Sequence, residues 1–192
     1  MVSPNPAPEQ TPALGRAETP IAFIQAIAAA YAQRNLPVDN ALKKAQIEPK
    51  LLKKNKARVT AMQMELMSGI AMQELDDEGL GWFSRRLPWG SYGMLVRASL
   101  TSPTLGLALS RWCRHHGLLT DDIRLSLTER HGVATLQLDE AHNLGVVREF
   151  CVVSVLRNAL GVACWLTDSR IPLTSTHLRF APPAHADSYR VL

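Results

Sequence analysis

The stretch IRLSLTERHGVATLQL, residues 123–138, decides the fold class. Ile123, Leu125 and Leu127 alternate with Arg124, Ser126 and Thr128, the period of two that puts one apolar row on one face of a half-buried strand. The alternation resumes with Ala134, Leu136 and Leu138 after Arg130-His131-Gly132, so the stretch predicts a β-hairpin. Outward from it the spacing is helical. Val146 to Leu166 is almost wholly apolar, broken by Arg148, Glu149, Arg157 and Asn158, and is too long for a strand; it reads as a central buried helix. A last strand is expected over residues 176–180, before Pro182-Pro183.

Upstream, Thr19 reads as an N-cap with Pro20 at the first helical position, and Ile21, Ile24, Ala28 and Tyr31 trace one face of a helix stopping near Asn35-Leu36-Pro37. Two short helices are expected about residues 39–45 and 49–54. Thr60 and Gln63 have capping-box spacing, ahead of a helix whose apolar face holds Leu66, Met67, Ile70 and Ala71. Asp76-Asp77-Glu78-Gly79 reads as the acidic turn ending it. Residues 79–93 read as a short strand and a turn, then a helix near residues 92–100. Ser102-Pro103 should cap another helix, with Leu105, Ala108, Leu109 and Trp112 on one face up to Gly117. Helices mixed with hairpin strands and no βαβ repeat indicate α+β, mostly helical, with a small antiparallel sheet made of the hairpin and the C-terminal strand.

The chain has 192 residues, a length that suits one domain or one and a half, and with 46% hydrophobic and 20% charged residues it has the profile of an ordered globular protein. Residues 1–18, with four prolines and few large apolar side chains, are expected to be a disordered tail; residues 19–192 form the domain. No uninterrupted apolar run nears the ~20 residues that span a bilayer, and the start lacks the order of a secretory signal. Cys113, Cys151 and Cys164 are an odd number in apolar segments, read as buried free thiols in a cytoplasmic protein. The formal charge of +4 is local in origin. Between Lys43 and Arg58 seven bases face one acid, Glu48, so that segment carries +6 and the remainder −2. A solvated basic face is the simpler reading of that segment, and an accessory contact to DNA or a partner the sharper one.

Several motifs then fall in order: Asp77-Glu78-x-Leu80-Gly81, Leu87-Pro88-x-Gly90-Ser91, and Ser102-x-Thr104-Leu105-Gly106-x-Ala108-Leu109. With Ala45-Gln46-Ile47, Arg58-Val59, and His177-Leu178-Arg179-Phe180 before Pro182-Pro183 and Tyr189, this series resembles the N-terminal regulatory domain of the AraC/XylS family, "arabinose-binding" type. The resemblance runs from about Pro20 to Leu192. It implies an α+β sensor or dimerisation domain, an unknown small-molecule effector, a homodimer, and DNA binding only through a C-terminal helix-turn-helix domain that lies outside this chain. The apolar end Ser188-Tyr189-Arg190-Val191-Leu192 is expected to continue into further sequence. The alternative is a stand-alone small-molecule-binding or protein-interaction module unrelated to transcription.

Candidate ligand residues are Trp82, Arg85, Arg86 and Trp89, aromatics beside cations around two glycine turns, which suit an anionic or aromatic ligand. The simpler reading has the tryptophans anchoring the loop and the arginines solvated. Arg157 and Asn158 are the candidates should the long helix wall a cavity, although pairing or exposure of its charged residues is the plainer expectation. His115-His116 beside Cys113 lacks metal-ligand spacing and reads as a helix C-terminus, where cations are favourable. No metal, cofactor or catalytic constellation is expected: there is no nucleophile elbow, phosphate loop or metal box.

Overall fold

The computed structural model describes residues 16–191. Strand β1 (Ala17–Pro20) pairs antiparallel with β2 (Arg58–Thr60). Between them run helix α1 (Ile21–Gln33), helix α2 (Asp39–Lys44) and a 3-10 turn (Pro49–Lys53). Helix α3 (Ala61–Glu74) follows β2 directly, then α4 (Ser91–Leu100) and α5 (Leu105–Leu119). The hairpin is β3 (Ile123–Arg130) and β4 (Val133–Glu140). A 3-10 turn (Gly145–Val147) leads into α6 (Arg148–Leu166), and another (Ala186–Val191) closes the described chain. With 51% of the chain helical and strands only in two antiparallel pairs, the class is α+β with helix dominant.

Local chemistry explains the element boundaries. Thr60 accepts from the Gln63 amide while the Gln63 side chain accepts from the Thr60 amide, closing the capping box expected from the sequence. Thr104, rather than Ser102, caps α5 by accepting the Leu107 amide. The hairpin turns on His131 and Gly132 at φ +52° and +75°, the left-handed pair that a two-residue turn needs to match strand twist.

The main core gathers Ile21, Ile24, Ile27 and Tyr31 of α1, Met67 and Ala71 of α3, and Phe150, Cys151, Val153 and Val155 of α6. Phe23 stacks on Phe150 at 5.2 Å between ring centroids. A smaller core holds Leu87, Leu95, Trp112, Leu119 and Ala159.

Several expectations are corrected. Thr19 lies in β1 and Pro20 is the N-cap of α1, because the chain enters the helix from a paired strand. Leu66 is 40% exposed, so the buried stripe of α3 is narrower than its composition. Residues 79–90 contain no strand, nor do 176–180; the second sheet is β1 with β2 instead. The first half of α6 is core, but Arg157, Asn158 and Trp165 are exposed. By length and composition Gly145–Leu166 could cross a membrane, yet its buried side chains pack into both cores. Of the expected disordered tail, residues 1–15 lie outside the described chain, while Ala17 and Glu18 belong to β1.

Candidate functional site

The acidic residues after α3 are buried. Asp77, 2% exposed, accepts the amides of Gly79 and Leu87 at Oδ1 and that of Gly81 at Oδ2, each at 3.0 Å. Its Oδ2 also takes Nη2 of Arg34 at 2.5 Å, tying the loop to the end of α1. Glu78 accepts the Gly90 and Tyr92 amides at 2.8 and 2.6 Å, at the N-terminus of α4, where helix dipole and free N–H groups favour an anion. These carboxylates clasp residues 79–92 rather than simply ending a helix. The clasp also holds Asp76 and Leu80 at φ +47° and +48°, a left-handed conformation costly for side chains other than glycine. Gly81 sits at φ +79° with α1 so close that an added Cβ would lie 3.2 Å from Ala30 Cβ.

Beyond the clasp, Trp82 and Phe83 form one wall of an open groove of about 530 Å³. The other wall is residues 142–147, the loop and 3-10 turn before α6, with Gln33, Gly81 and Ser84 completing the rim. Asp122, between α5 and β3, organises both walls. Its Oδ2 accepts the Ser84 amide, the Ser84 hydroxyl and the Thr120 hydroxyl at 2.7–2.9 Å, and its Oδ1 faces His142 Nδ1 at 3.2 Å. Its backbone carbonyl accepts the amides of Ala141 and His142. Burial pushes the Asp122 carboxyl up, but the hydrogen bonds from Ser84, Thr120 and His142 outweigh it and hold the pKa below the usual 3.8. An ionised carboxylate therefore underpins the groove.

Trp82 serves the fold and the groove together. It is 4% exposed, meets Phe150 and Phe83 edge-on at 5.2 and 6.0 Å, and its buried Nε1 has no hydrogen-bond partner among the described residues. Val146, on the opposite wall, is 91% exposed.

The groove wall continues into a strap. Directly after Val147, Arg148 bridges to Glu140 at 2.6 Å and donates to the Arg179 carbonyl at 2.9 Å. Glu149 takes His185 Nε2 at 2.5 Å and the Tyr189 hydroxyl. Arg58 holds Asp187 at 2.8 Å and the Ser188 hydroxyl. Side chains at the start of α6 and of β2 thus tie down residues 179–189 of the segment after α6, which has no regular structure before the closing 3-10 turn.

The family model of the arabinose-binding domain at the N-terminus of AraC transcription regulators matches residues 36–192. The chain belongs to that family. No curated protein and no solved structure matches it. In this AraC-type regulatory domain the motifs Asp77-Glu78-x-Leu80-Gly81 and Leu87-Pro88-x-Gly90-Ser91 are the clasp itself, which gives their spacing a physical reason.

The six residues picked from sequence are not gathered at one place. Trp82 lines the groove, whereas Arg85, Arg86 and Trp89 lie on the exposed outside of the clasped loop. Arg157 borders a separate hollow of about 180 Å³ with Phe23 and Tyr189, and Asn158 is exposed. Arg148 and Glu149 are paired, as the plainer expectation had it. His116 departs from the sequence reading: it is 1% exposed, and burial lowers its pKa to about 4, so it is a neutral core group rather than a helix-end cation. Its Nε2 lies 3.2 Å from the Tyr92 hydroxyl. Cys113 and Cys151 are buried free thiols, and Cys164 is half-buried. Asp122 went unread in the sequence; Thr120-x-Asp122 between a helix and a strand, a hydroxyl and a carboxylate at local hydrogen-bonding distance, is the available signal.

Proposed function

We propose that this domain binds a small hydroxylated effector in the groove between Trp82-Phe83 and residues 142–147, and passes its occupancy to the strap that leads to the end of the chain. The observation that carries the reading is continuity: the groove residue Val147 is followed at once by Arg148 and Glu149, the two side chains that hold residues 179, 185 and 189. An aromatic wall facing Ser84, His142 and Asn143 suits a molecule with apolar faces and hydroxyl edges, in keeping with the family description. The role is regulatory rather than catalytic. In the full regulator, a cytoplasmic homodimer, the effector would alter how helix-turn-helix DNA-binding domains are presented, which requires different affinity for two states.

The test is a thermal-shift screen of pentoses, hexoses and related polyols against the chain and against Val146→Trp, which fills the groove from an exposed position. A ligand at 100 times its Kd stabilises by about 2.7 kcal/mol. Stabilisation of the parent chain and none of the variant is expected; equal stabilisation of both places the ligand elsewhere. A second reading, a domain that only dimerises, draws on Met94, Leu100, Leu107 and Leu118, large apolar side chains exposed on the packed pair α4 and α5. The α5 face bearing Ala108 and Trp112 faces the core and is not available for that purpose. Light scattering that finds a dimer, with no metabolite shifting the melting point, would favour this second reading.

A further inference from the structure

Residues 39–58 form a small, firmly seated substructure. Ala41, Leu42, Ala45 and Ile47 are buried in the main core, and the Ile47 amide donates to the Leu42 carbonyl. The Gln63 side chain donates to the Gln46 carbonyl at 2.7 Å, and the Gln25 side chain to the Leu52 carbonyl at 2.9 Å. With the apolar side turned inward, Lys43, Lys44, Lys53, Lys54 and Lys56 are all exposed. The neighbouring cations are already neutralised: Lys50 pairs with Glu48 at 2.5 Å, and Arg58 with Asp187 at 2.8 Å. Glu74 of α3 is engaged by Tyr31 and Asn40, and Asp39, the first residue of α2, forms no ion pair among the described residues. Among the described residues none of the five lysines has a carboxylate within ion-pair distance. Five unneutralised positive charges therefore crowd fourteen residues of a chain whose remainder is acidic on balance.

We propose that this lysine face, residues 43–56, grips the phosphate backbone of duplex nucleic acid without reading its sequence. Lysine is a point charge that suits phosphate oxygens, whereas recognition of base edges relies mainly on arginine and amide side chains. The substructure supplies no aromatic side chain on which an unpaired base could stack, which disfavours single strands. Of its leucines, Leu42 is buried and Leu51 and Leu52 are half-buried against the core, so nothing apolar is offered to a bilayer. Sequence selectivity remains with other parts of the regulator, and this face adds a nonspecific electrostatic hold.

The test is fluorescence anisotropy of the full chain with a labelled 30-base-pair duplex of random sequence, across a series of salt concentrations. Contact by four or five lysines gives a slope of log K against log salt of about −4, so that affinity falls on the order of 10²-fold between about 50 and 200 mM salt. Replacing Lys43, Lys44, Lys53, Lys54 and Lys56 together by Gln should flatten the slope to about −1 or less and weaken binding at low salt at least ten-fold. Replacing Arg114, Arg124 and Arg130, exposed cations elsewhere, by Gln is the control and should leave the slope unchanged. Circular dichroism melting verifies that each variant folds; Lys43→Gln with Lys44→Gln alone, expected to lower the slope by about 2, is the fallback if the five-fold variant does not. Absent binding at low salt, an unchanged slope in the lysine variants, an equal loss in the arginine control, or binding to polyglutamate or anionic vesicles in preference to duplex would each overturn the proposal.

Discussion

Asp77 accepts three backbone amides and a guanidinium while almost wholly shielded from water, so its removal strands four donors at once. Breaking such a set typically costs about 3–5 kcal/mol. Asp77→Ala should therefore lower the free energy of unfolding in urea by about that amount, and a loss under about 1 kcal/mol would mean that the clasp is not structural. His116 sets an acid limit. Its folded pKa of about 4 lies below the 6.5 of the free side chain, so between those values the unfolded chain binds more protons. Stability is intact above about pH 6.5 and falls as pH drops toward 4, by on the order of 3 kcal/mol at the lower end. Asp122 adds a further loss as pH falls from about 3.8 through its depressed folded pKa, below which that contribution is gone. Urea melts over this range should show the slope, and His116→Gln should flatten it between pH 6.5 and 4. At this scale the sequence is least legible. Asp77, Glu78 and His116 are polar residues in ordinary surface-like patterns, and only the backbone amides and aromatic rings folded around them reveal that they are buried.

At the scale of elements, patterns that depend on near neighbours read directly from the sequence. The capping box of α3 needs only Thr60 and Gln63, and the hairpin only alternation around Arg130-His131-Gly132. Thr60→Ala should cost about 1 kcal/mol in thermal or urea unfolding, the usual value of a lost N-cap. Elements that depend on distant partners do not read so easily. β1 exists because Arg58, Val59 and Thr60 lie alongside it, forty residues away in sequence, and residues 176–180 stay out of any sheet because side chains of α6 and β4, rather than a strand edge, hold them. That tie is testable. Glu149→Ala removes the acceptor of both His185 and Tyr189, and should speed tryptic cleavage after Arg170 and Arg179 about ten-fold, since cleavage follows the population of the open strap. Unchanged cleavage would show that the strap is held by its other contacts alone.

For the whole molecule, the family and the α+β class are legible because the motifs carrying them, from Asp77 to Leu109, coincide with the clasp and the helix starts that shape the chain. The groove is legible only in Trp82. Its other side is built by Asp122 and residues 142–147, which come together through the return of the hairpin and have no sequence pattern in common with it. The same return sets the groove beside the start of α6, and hence beside the strap, and this arrangement underlies the regulatory account. Regulation of this kind requires that a small hydroxylated molecule enter the groove. The most direct measurement is 19F NMR of the chain labelled with 5-fluorotryptophan, titrated with the pentose and polyol panel. Of its four tryptophans, Trp82 lines the groove, while Trp89 and Trp165 are solvent-exposed and Trp112 lies in the smaller core. A saturable shift of the Trp82 resonance is expected, with Trp89 and Trp165 unmoved. A ligand that shifts Trp89 or Trp165 and leaves Trp82 still, or a panel that moves no resonance at all, would contradict it.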